Sequence, residues 1–211
     1  MISEKLPDHI VYSQPVVEFV TVAAETCLFL EKTTEQTRSE FVSKAVKILP
    51  LLYLKAAVLE IPAPVFDSVV ERFVTEEDYL FVKEQLEQLL GADDSYLEVF
   101  HPDMALSDTP IAAFVSESLA DVYQEIKDFA ANYQTMDTDV MNDALVMCLN
   151  AFGEHWGQKA LSALRALHAV RHGDNFNKED QEDAPAQKID RNSFFGFLKD
   201  ENEDDLTSKL L

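Results

Sequence analysis

Residues 13–30 read SQPVVEFVTVAAETCLFL, and this stretch indicates the fold class of the whole chain. A hydroxyl at Ser13 followed by a proline two positions later is typical of a helix start, where a capping oxygen is favourable and a missing N–H costs little. The apolar residues that follow recur every three or four positions, which is the period of one helix face. They are Val16, Phe19, Val20, Ala23, Cys27 and Leu30. The stretch therefore predicts a helix, buried on one side, that ends near Lys32.

A second helix is predicted after Thr33 and Thr34, either of which offers a capping hydroxyl. Pro50 should kink or break this helix, because proline removes a backbone donor and clashes with the preceding turn. The continuation over residues 51–59 is apolar almost all round, and we expect it to be the most buried part of the chain. The leucines expected in the core are Leu51, Leu52 and Leu54.

A third helix is predicted to begin at Thr75, which forms a capping-box pattern with Asp78, and to stop at Gly91. Residues 92–107 are expected to be a loop. The motif DTP at residues 108–110 is then expected to open a fourth helix.

The last long helix should be capped by Thr138 or Asp139 and end near Gly173. No stretch alternates convincingly with a period of two, so strands are not predicted. The expected fold is all-α, a single irregular bundle of five or six helices, and five glycines in 211 residues agree with it.

Charge divides the chain into parts and restricts its partners. There are 39 acidic and 17 basic residues, a net charge of −22. We predict an N-terminal arm over residues 1–13, a helical domain over 14–172 and a flexible acidic tail over 173–211. The charge argues against direct binding of nucleic acid or an anionic membrane, since phosphate binding requires clustered cations. We expect a cytoplasmic protein with a basic protein partner and no cofactor.

The fourth helix carries four carboxylates that fall within an arc of about 80° on a helical wheel. They are Glu117, Asp121, Glu125 and Asp128. The apolar residues of the same helix lie almost opposite, so we expect an exposed, solvated stripe that does not form a tight metal site. The alternative is a metal-dependent phosphohydrolase. All-α nucleotide pyrophosphohydrolases hold magnesium between an E-x-x-E and an E-x-x-D helix, and residues 84–87 and 125–128 are similar to these motifs.

The last helix contains two further candidates. Gly153 and Gly157 lie four residues apart and leave a flat strip, which favours close helix packing or a pocket floored by glycine. The walls of such a pocket would be His155, Trp156 and Gln158. Near the helix end, Arg165 and His172 are similar in spacing to the R-x(4–6)-H motif of HEPN-type ribonucleases. Cations at a helix C-terminus are also expected for dipole reasons alone.

The predicted tail contains one apolar segment among acidic residues. Its members are Phe194, Phe195, Phe197 and Leu198. Such a segment could insert into a groove of a partner or dock on the helical domain.

Several blocks, in this order, resemble an uncharacterised bacterial helical family of the domain-of-unknown-function series (number 5063). The blocks are VVEFVTVA at 16–23, LPLLYLK at 49–55, FVTEEDY at 73–79, SDTP at 107–110, ExLADVYQ at 117–124 and WGQ at 156–158. The resemblance covers residues 14–172 and implies a bacterial, cytoplasmic helical domain, without any activity or functional residue. We therefore expect a protein-interaction or regulatory module more than an enzyme.

Overall fold

The computed structural model describes residues 9–66, 70–98, 111–174 and 176. These residues belong to the first of two compact units, which spans residues 1–177. The described helices are α1 Gln14–Glu31, α2 Arg38–Ala57, α3 Glu76–Leu90, α4 Val115–Tyr133, α5 Thr138–Ala151 and α6 Gly157–Arg171. Two short strands, β1 Ser95–Glu98 and β2 Ile111–Phe114, complete the regular structure of the described residues. The expected all-α bundle is confirmed.

The core forms around α4, which packs against α1, α3, α5 and α6. The remaining helix, α2, packs mainly against α6 and α1. Fully buried side chains come from all six helices, and the largest include Trp156, Phe19, Phe41 and Phe129. The rings of Phe19 and Phe129 stack with their centroids 5.1 Å apart, which joins α1 to α4.

The capping chemistry agrees with the prediction for α3 and differs for α2. Thr75 and Asp78 form a reciprocal capping box, and Gly91 ends the helix with a φ of 53°. The second helix is capped instead by Thr37, whose capping box uses Glu40. The prediction of Thr33 or Thr34 is wrong because residues 33–35 form a separate 3-10 turn before the helix.

Pro50 lies inside α2 and does not end it. The core-facing residues of the helix recur as Phe41, Ala45, Leu49, Leu52 and Ala56, at the spacing of one helix face. Continuing that face through the proline places Leu52 inside, whereas the side chains of Leu51 and Leu54 are 44% and 55% exposed. The expectation that all three leucines are buried is therefore wrong for two of them.

The prediction that the chain contains no strands is also wrong, because β1 and β2 form an antiparallel pair. Each strand has four residues, which is too short for a period of two to stand out in the sequence. Residues 111–114, predicted to be helical, belong to β2, so α4 begins at Val115 and not at the DTP motif. Its N-terminus is capped from outside the helix, since Asp94 accepts hydrogen bonds from the backbone N and the Oγ of Ser116, both at 2.7 Å.

The last two helices continue into one another through a π-helical turn at Phe152–Trp156. Asp137, one residue before the predicted caps, accepts from the backbone amides of Asp139 and Val140. The tight glycine is Gly157, where an added Cβ would lie 2.5 Å from the carbonyl oxygen of Phe152 in the preceding turn. Gly153 has open space around it, so the two glycines do not form a strip for another helix.

Asp143 on α5 holds the connector that follows α2. Its carboxylate accepts hydrogen bonds from the backbone amides of Val65 and Phe66, each at 2.7 Å. Burial alone would raise the pKa of this carboxyl group, but the two amides and the side chain of Asn142 lower it below its ordinary value. The ionised form is therefore the one that the folded state stabilises.

We expect Asp143→Asn to lower the free energy of unfolding at pH 7 by about 1 to 3 kcal/mol, since one amide carbonyl cannot replace two carboxylate oxygens. The wild-type contribution should be present above the ordinary Asp pKa and be lost as the pH falls through the depressed folded value. Urea unfolding followed by circular dichroism between pH 3 and 7 measures both effects. Asp139→Asn, an exposed change on the same helix, is the matched control. An equally steep acid dependence in wild type and Asp143→Asn would contradict the prediction.

Candidate functional site

The predicted acidic stripe of α4 is not an exposed face. Asp128 is 8% exposed, and its Oδ1 accepts hydrogen bonds from the backbone amides of Phe73 and Val74 at 2.7 and 2.9 Å. Its carboxylate thus holds the segment that leads into α3. The expected full exposure is wrong for Asp128, because residues 70–74 cover this side of α4.

Two more carboxylates of the stripe have cationic or hydroxyl neighbours. The Oδ2 of Asp121 lies 3.2 Å from the Nζ of Lys159, and its Oδ1 accepts a hydrogen bond of 2.9 Å from the hydroxyl of Tyr79. Glu125 lies 3.4 Å from a guanidinium nitrogen of Arg72. Both residues are half-buried, and Glu117 alone is exposed as predicted. Three of the four carboxylates therefore join α4 to neighbouring elements.

The motif pair of the pyrophosphohydrolase hypothesis is not assembled as a site in the described residues. Glu84 and Glu87 lie on the exposed side of α3, whereas Asp128 is buried and accepts hydrogen bonds from the segment before that helix. Across the described parts of the chain, no group of three or more His, Cys, Asp or Glu side chains is placed to hold a metal ion.

The predicted pocket residues separate into two environments. Trp156 is fully buried, and its indole Nε1 donates a hydrogen bond of 2.9 Å to the carbonyl oxygen of Cys148. His155 and Gln158 instead line an open groove of about 960 Å³ between β1 and α6. Adjacent residues on a helix point about 100° apart, so Trp156 points to the core, in line with Ala160 and Ala163, while its neighbour His155 faces the groove.

The groove, which we call the β1–α6 groove, combines apolar, polar and charged side chains. Its lining residues are Tyr96, Leu97, Glu98, Glu154, His155, Gln158, Lys159, Leu161, Ser162, Arg165, Ala166 and Ala169. His172 is not among them; its ring lies 4.5 Å from that of His168 at the end of α6. The two residues of the ribonuclease-like spacing therefore do not meet in this groove.

A candidate site that sequence reasoning did not single out lies on α3. This helix has five acidic residues and one basic residue, and it exposes Leu80 and Phe81 at 40% and 52%. Glu77 and Glu84 lie one turn before and after this apolar pair, and Val82 and Leu86 face the core. We call this surface the α3 acidic face. The signal was present in the sequence, because apolar residues stand among the glutamates at positions that do not belong to the buried stripe.

A small cavity of about 300 Å³ adjoins the α3 acidic face between Phe73 and Phe81. The other residues that line it are Glu31, Val74, Asp78, Tyr123 and Lys127. The Phe73 ring is 42% exposed, so the two aromatic side chains form an apolar rim.

Hydrogen bonds hold the charged wall of this cavity in place. Glu31 accepts from the Nζ of Lys127 at 2.7 Å and from the hydroxyl of Tyr123 at 2.9 Å. Burial, together with the bond to Glu31, raises the pKa of Tyr123. Burial opposes the charge on Lys127, but Glu31 outweighs it and raises the lysine pKa. The pKa of Asp78 is lowered by its hydrogen bonds with Thr75. The ionised form of Asp78 is therefore favoured at neutral pH, and the wall contains two carboxyl groups, Glu31 and Asp78, against one lysine.

The apolar tail residues Phe194, Phe195, Phe197 and Leu198 lie outside the described residues. Their predicted role in docking on a partner stays a prediction. Within the described residues, no helix is both long and apolar enough to cross a membrane.

Comparison with known proteins places this geometry in a family. The model of the family described as "Domain of unknown function (DUF5063)" matches residues 10–173. The chain is similar to protein BF1032 from Bacteroides fragilis, whose crystal structure was a Northeast Structural Genomics Consortium target. The identity is 42%, the TM-score is 0.71, and the match covers 78% of this chain and 97% of that chain. No curated protein matches the chain.

Proposed function

The chain belongs to the DUF5063 family, and we propose that it is a cytoplasmic protein-interaction module, not an enzyme. Its binding surface is the α3 acidic face, and its partner is a protein that presents a basic, amphipathic segment. The observation that carries the proposal is the exposed pair Leu80 and Phe81, placed between glutamates on an otherwise acidic helix.

The exposed apolar side chains of this surface are the source of its binding energy. Scattered exposed apolar residues are ordinary, but here Phe73 and Phe81 line one cavity, and the exposed Leu80 is next to Phe81 in α3. Aromatic side chains beside a pocket are the usual source of binding energy in protein interfaces. An aliphatic side chain, or the hydrocarbon stem of a lysine or arginine, fits a cavity of about 300 Å³ between two rings.

Charge determines which partner is favoured. Glu76, Glu77, Glu84 and Glu87 are exposed and form no hydrogen bond or ion pair with another described residue. Their free carboxylates favour a cationic partner and accelerate encounter with it, at a rate that falls with salt. Exposed charges add little affinity on their own, so the apolar contacts must slow dissociation.

The acidic stripe of α4 supports the phosphohydrolase alternative less well. Three of its four carboxylates accept hydrogen bonds or lie against cations within the fold. A metal ion there would have to compete with these contacts.

A binding experiment with a defined probe tests the proposal. The probe is a fluorescein-labelled amphipathic helical peptide with lysines on one face and leucines on the other. It is titrated with the full chain, and binding is followed by fluorescence anisotropy. We expect Phe81→Ser to weaken binding by about tenfold or more, since a central aromatic anchor contributes about 2 kcal/mol or more. Replacing Glu77 and Glu84 together by Gln should reduce the salt dependence of binding.

Leu54→Ser is the matched control, because Leu54 is 55% exposed on α2, away from the α3 acidic face. It should bind the peptide as wild type does. If Phe81→Ser and Leu54→Ser bind equally well, the peptide responds only to net charge, and the α3 acidic face is not the binding surface.

A further inference from the structure

The β1–α6 groove is a second surface whose chemistry differs from that of the α3 acidic face. Its margins carry two exposed leucines, Leu97 at 61% and Leu161 at 45%. Its other side is a single stripe that runs from Glu154, in the π-helical turn before α6, to Ala169 in α6, about four helical turns in all. In a chain with a net charge of −22, the charges that line this groove balance, with two carboxylates against one lysine and one arginine.

Two of these charges remain available. Lys159 is held by Asp121 at 3.2 Å, and the hydroxyl of Tyr96 lies 3.4 Å from Glu98. Glu154 and Arg165 are both exposed, and within the described part of the chain neither forms a hydrogen bond or an ion pair. They stand eleven residues apart on the same stripe, about 16 Å along the helix axis.

We propose that the β1–α6 groove binds a second copy of this chain, with the two α6 helices antiparallel across a twofold axis. In that arrangement Glu154 of each copy lies opposite Arg165 of the other, and Leu161 of each copy lies against Gln158 of the other. The occupant of each groove is the α6 stripe of the second copy.

The charge pattern argues for a second copy as the occupant. A twofold interface requires a surface that is complementary to itself. A stripe with an acid at one end and a base at the other meets that condition only when the two stripes run antiparallel, because each acid then lies opposite a base. Two copies of a −22 chain repel each other over most of their surface, so they associate most easily where the local charge is balanced. The α3 acidic face fails this condition, because its like charges would meet.

The small side chains of the stripe permit close approach. Ser162, Ala166 and Ala169 line the groove on the side of α6 that would face the second helix. Leu161 then loses its exposure to water in both copies at once, which is the apolar contribution to the interface. These contacts add to the charge argument and do not replace it.

A charge-exchange experiment on the full chain tests the proposal. Sedimentation velocity at concentrations from about 1 to 200 μM should show a monomer–dimer equilibrium for wild type. Arg165→Glu and Glu154→Arg should each weaken the dimer by about tenfold or more, because like charges then face each other in both symmetry-related pairs. The double variant Glu154→Arg/Arg165→Glu should restore the wild-type dimer to within about threefold, since each pair is again of opposite sign.

Lys47→Glu is the matched control for Arg165→Glu. It makes the same change in net charge at an exposed lysine of α2, outside the groove, and should leave the dimer unchanged. Circular dichroism melts of all variants check that each is folded. A wild-type chain that is monomeric throughout this range overturns the proposal, as does a double variant no stronger than the single ones. Neither result bears on peptide binding by the α3 acidic face.

Discussion

Replacing Trp156 by alanine is expected to lower the free energy of unfolding by about 3 to 5 kcal/mol, the range for removing a buried aromatic side chain. The indole is fully buried, and its ring lies 4.8 Å from that of Phe152 in the same π-helical turn. The change also removes the hydrogen bond from the indole nitrogen to the carbonyl oxygen of Cys148. Trp156 is the only tryptophan, so unfolding in urea must be followed by far-ultraviolet circular dichroism rather than fluorescence.

Two further variants separate the sources of this effect. Trp156→Phe keeps much of the apolar contact and loses the indole donor, so its cost should lie between wild type and alanine. Leu54→Ala, an exposed change on α2, should cost less than about 0.5 kcal/mol. A cost below about 1 kcal/mol for Trp156→Ala would mean that the indole lines a groove, which was the alternative that the sequence left open.

The helices were largely predictable because their signals are local. The apolar spacing of α1 and the capping pair Thr75 and Asp78 can each be recognised from residues close together in the sequence. The structure confirms both. The hairpin was not predictable in the same way. Its strands depend on pairing between residues 95–98 and 111–114, and four residues carry too little periodicity to indicate that contact.

The candidate sites were less predictable because exposure depends on which other element covers a helix face. A helical wheel placed Asp121 and Asp128 opposite the apolar side of α4, which is a statement about one helix. In the structure, the segment before α3 lies over Asp128, and α6 brings Lys159 to Asp121. On α3 the sequence showed that Phe81 lies outside the buried stripe, but only the structure shows that no other described element covers it.

The predicted pocket failed for a related reason. Adjacent residues on a helix point about 100° apart, so His155 and Trp156 do not face the same side. Trp156 continues the buried stripe of Ala160 and Ala163, whereas His155 faces the groove. A pocket wall inferred from three neighbouring side chains thus became one buried anchor and two groove residues.

Leu52 and Leu51 provide the sharpest test of how α2 continues beyond Pro50. Leu52 is fully buried, so Leu52→Ala should lower the free energy of unfolding by about 2 to 5 kcal/mol through lost apolar contact and the cavity left behind. Leu51 is 44% exposed on the neighbouring face, so Leu51→Ala should cost about 1 kcal/mol or less. The two substitutions are chemically identical and adjacent, so differences in helix propensity largely cancel. Urea unfolding of both variants at pH 7 measures the difference, which should be at least about 1 kcal/mol. Equal costs would mean that the helix does not keep one buried face through the proline, and that residues after Pro50 lie in the core on more than one side.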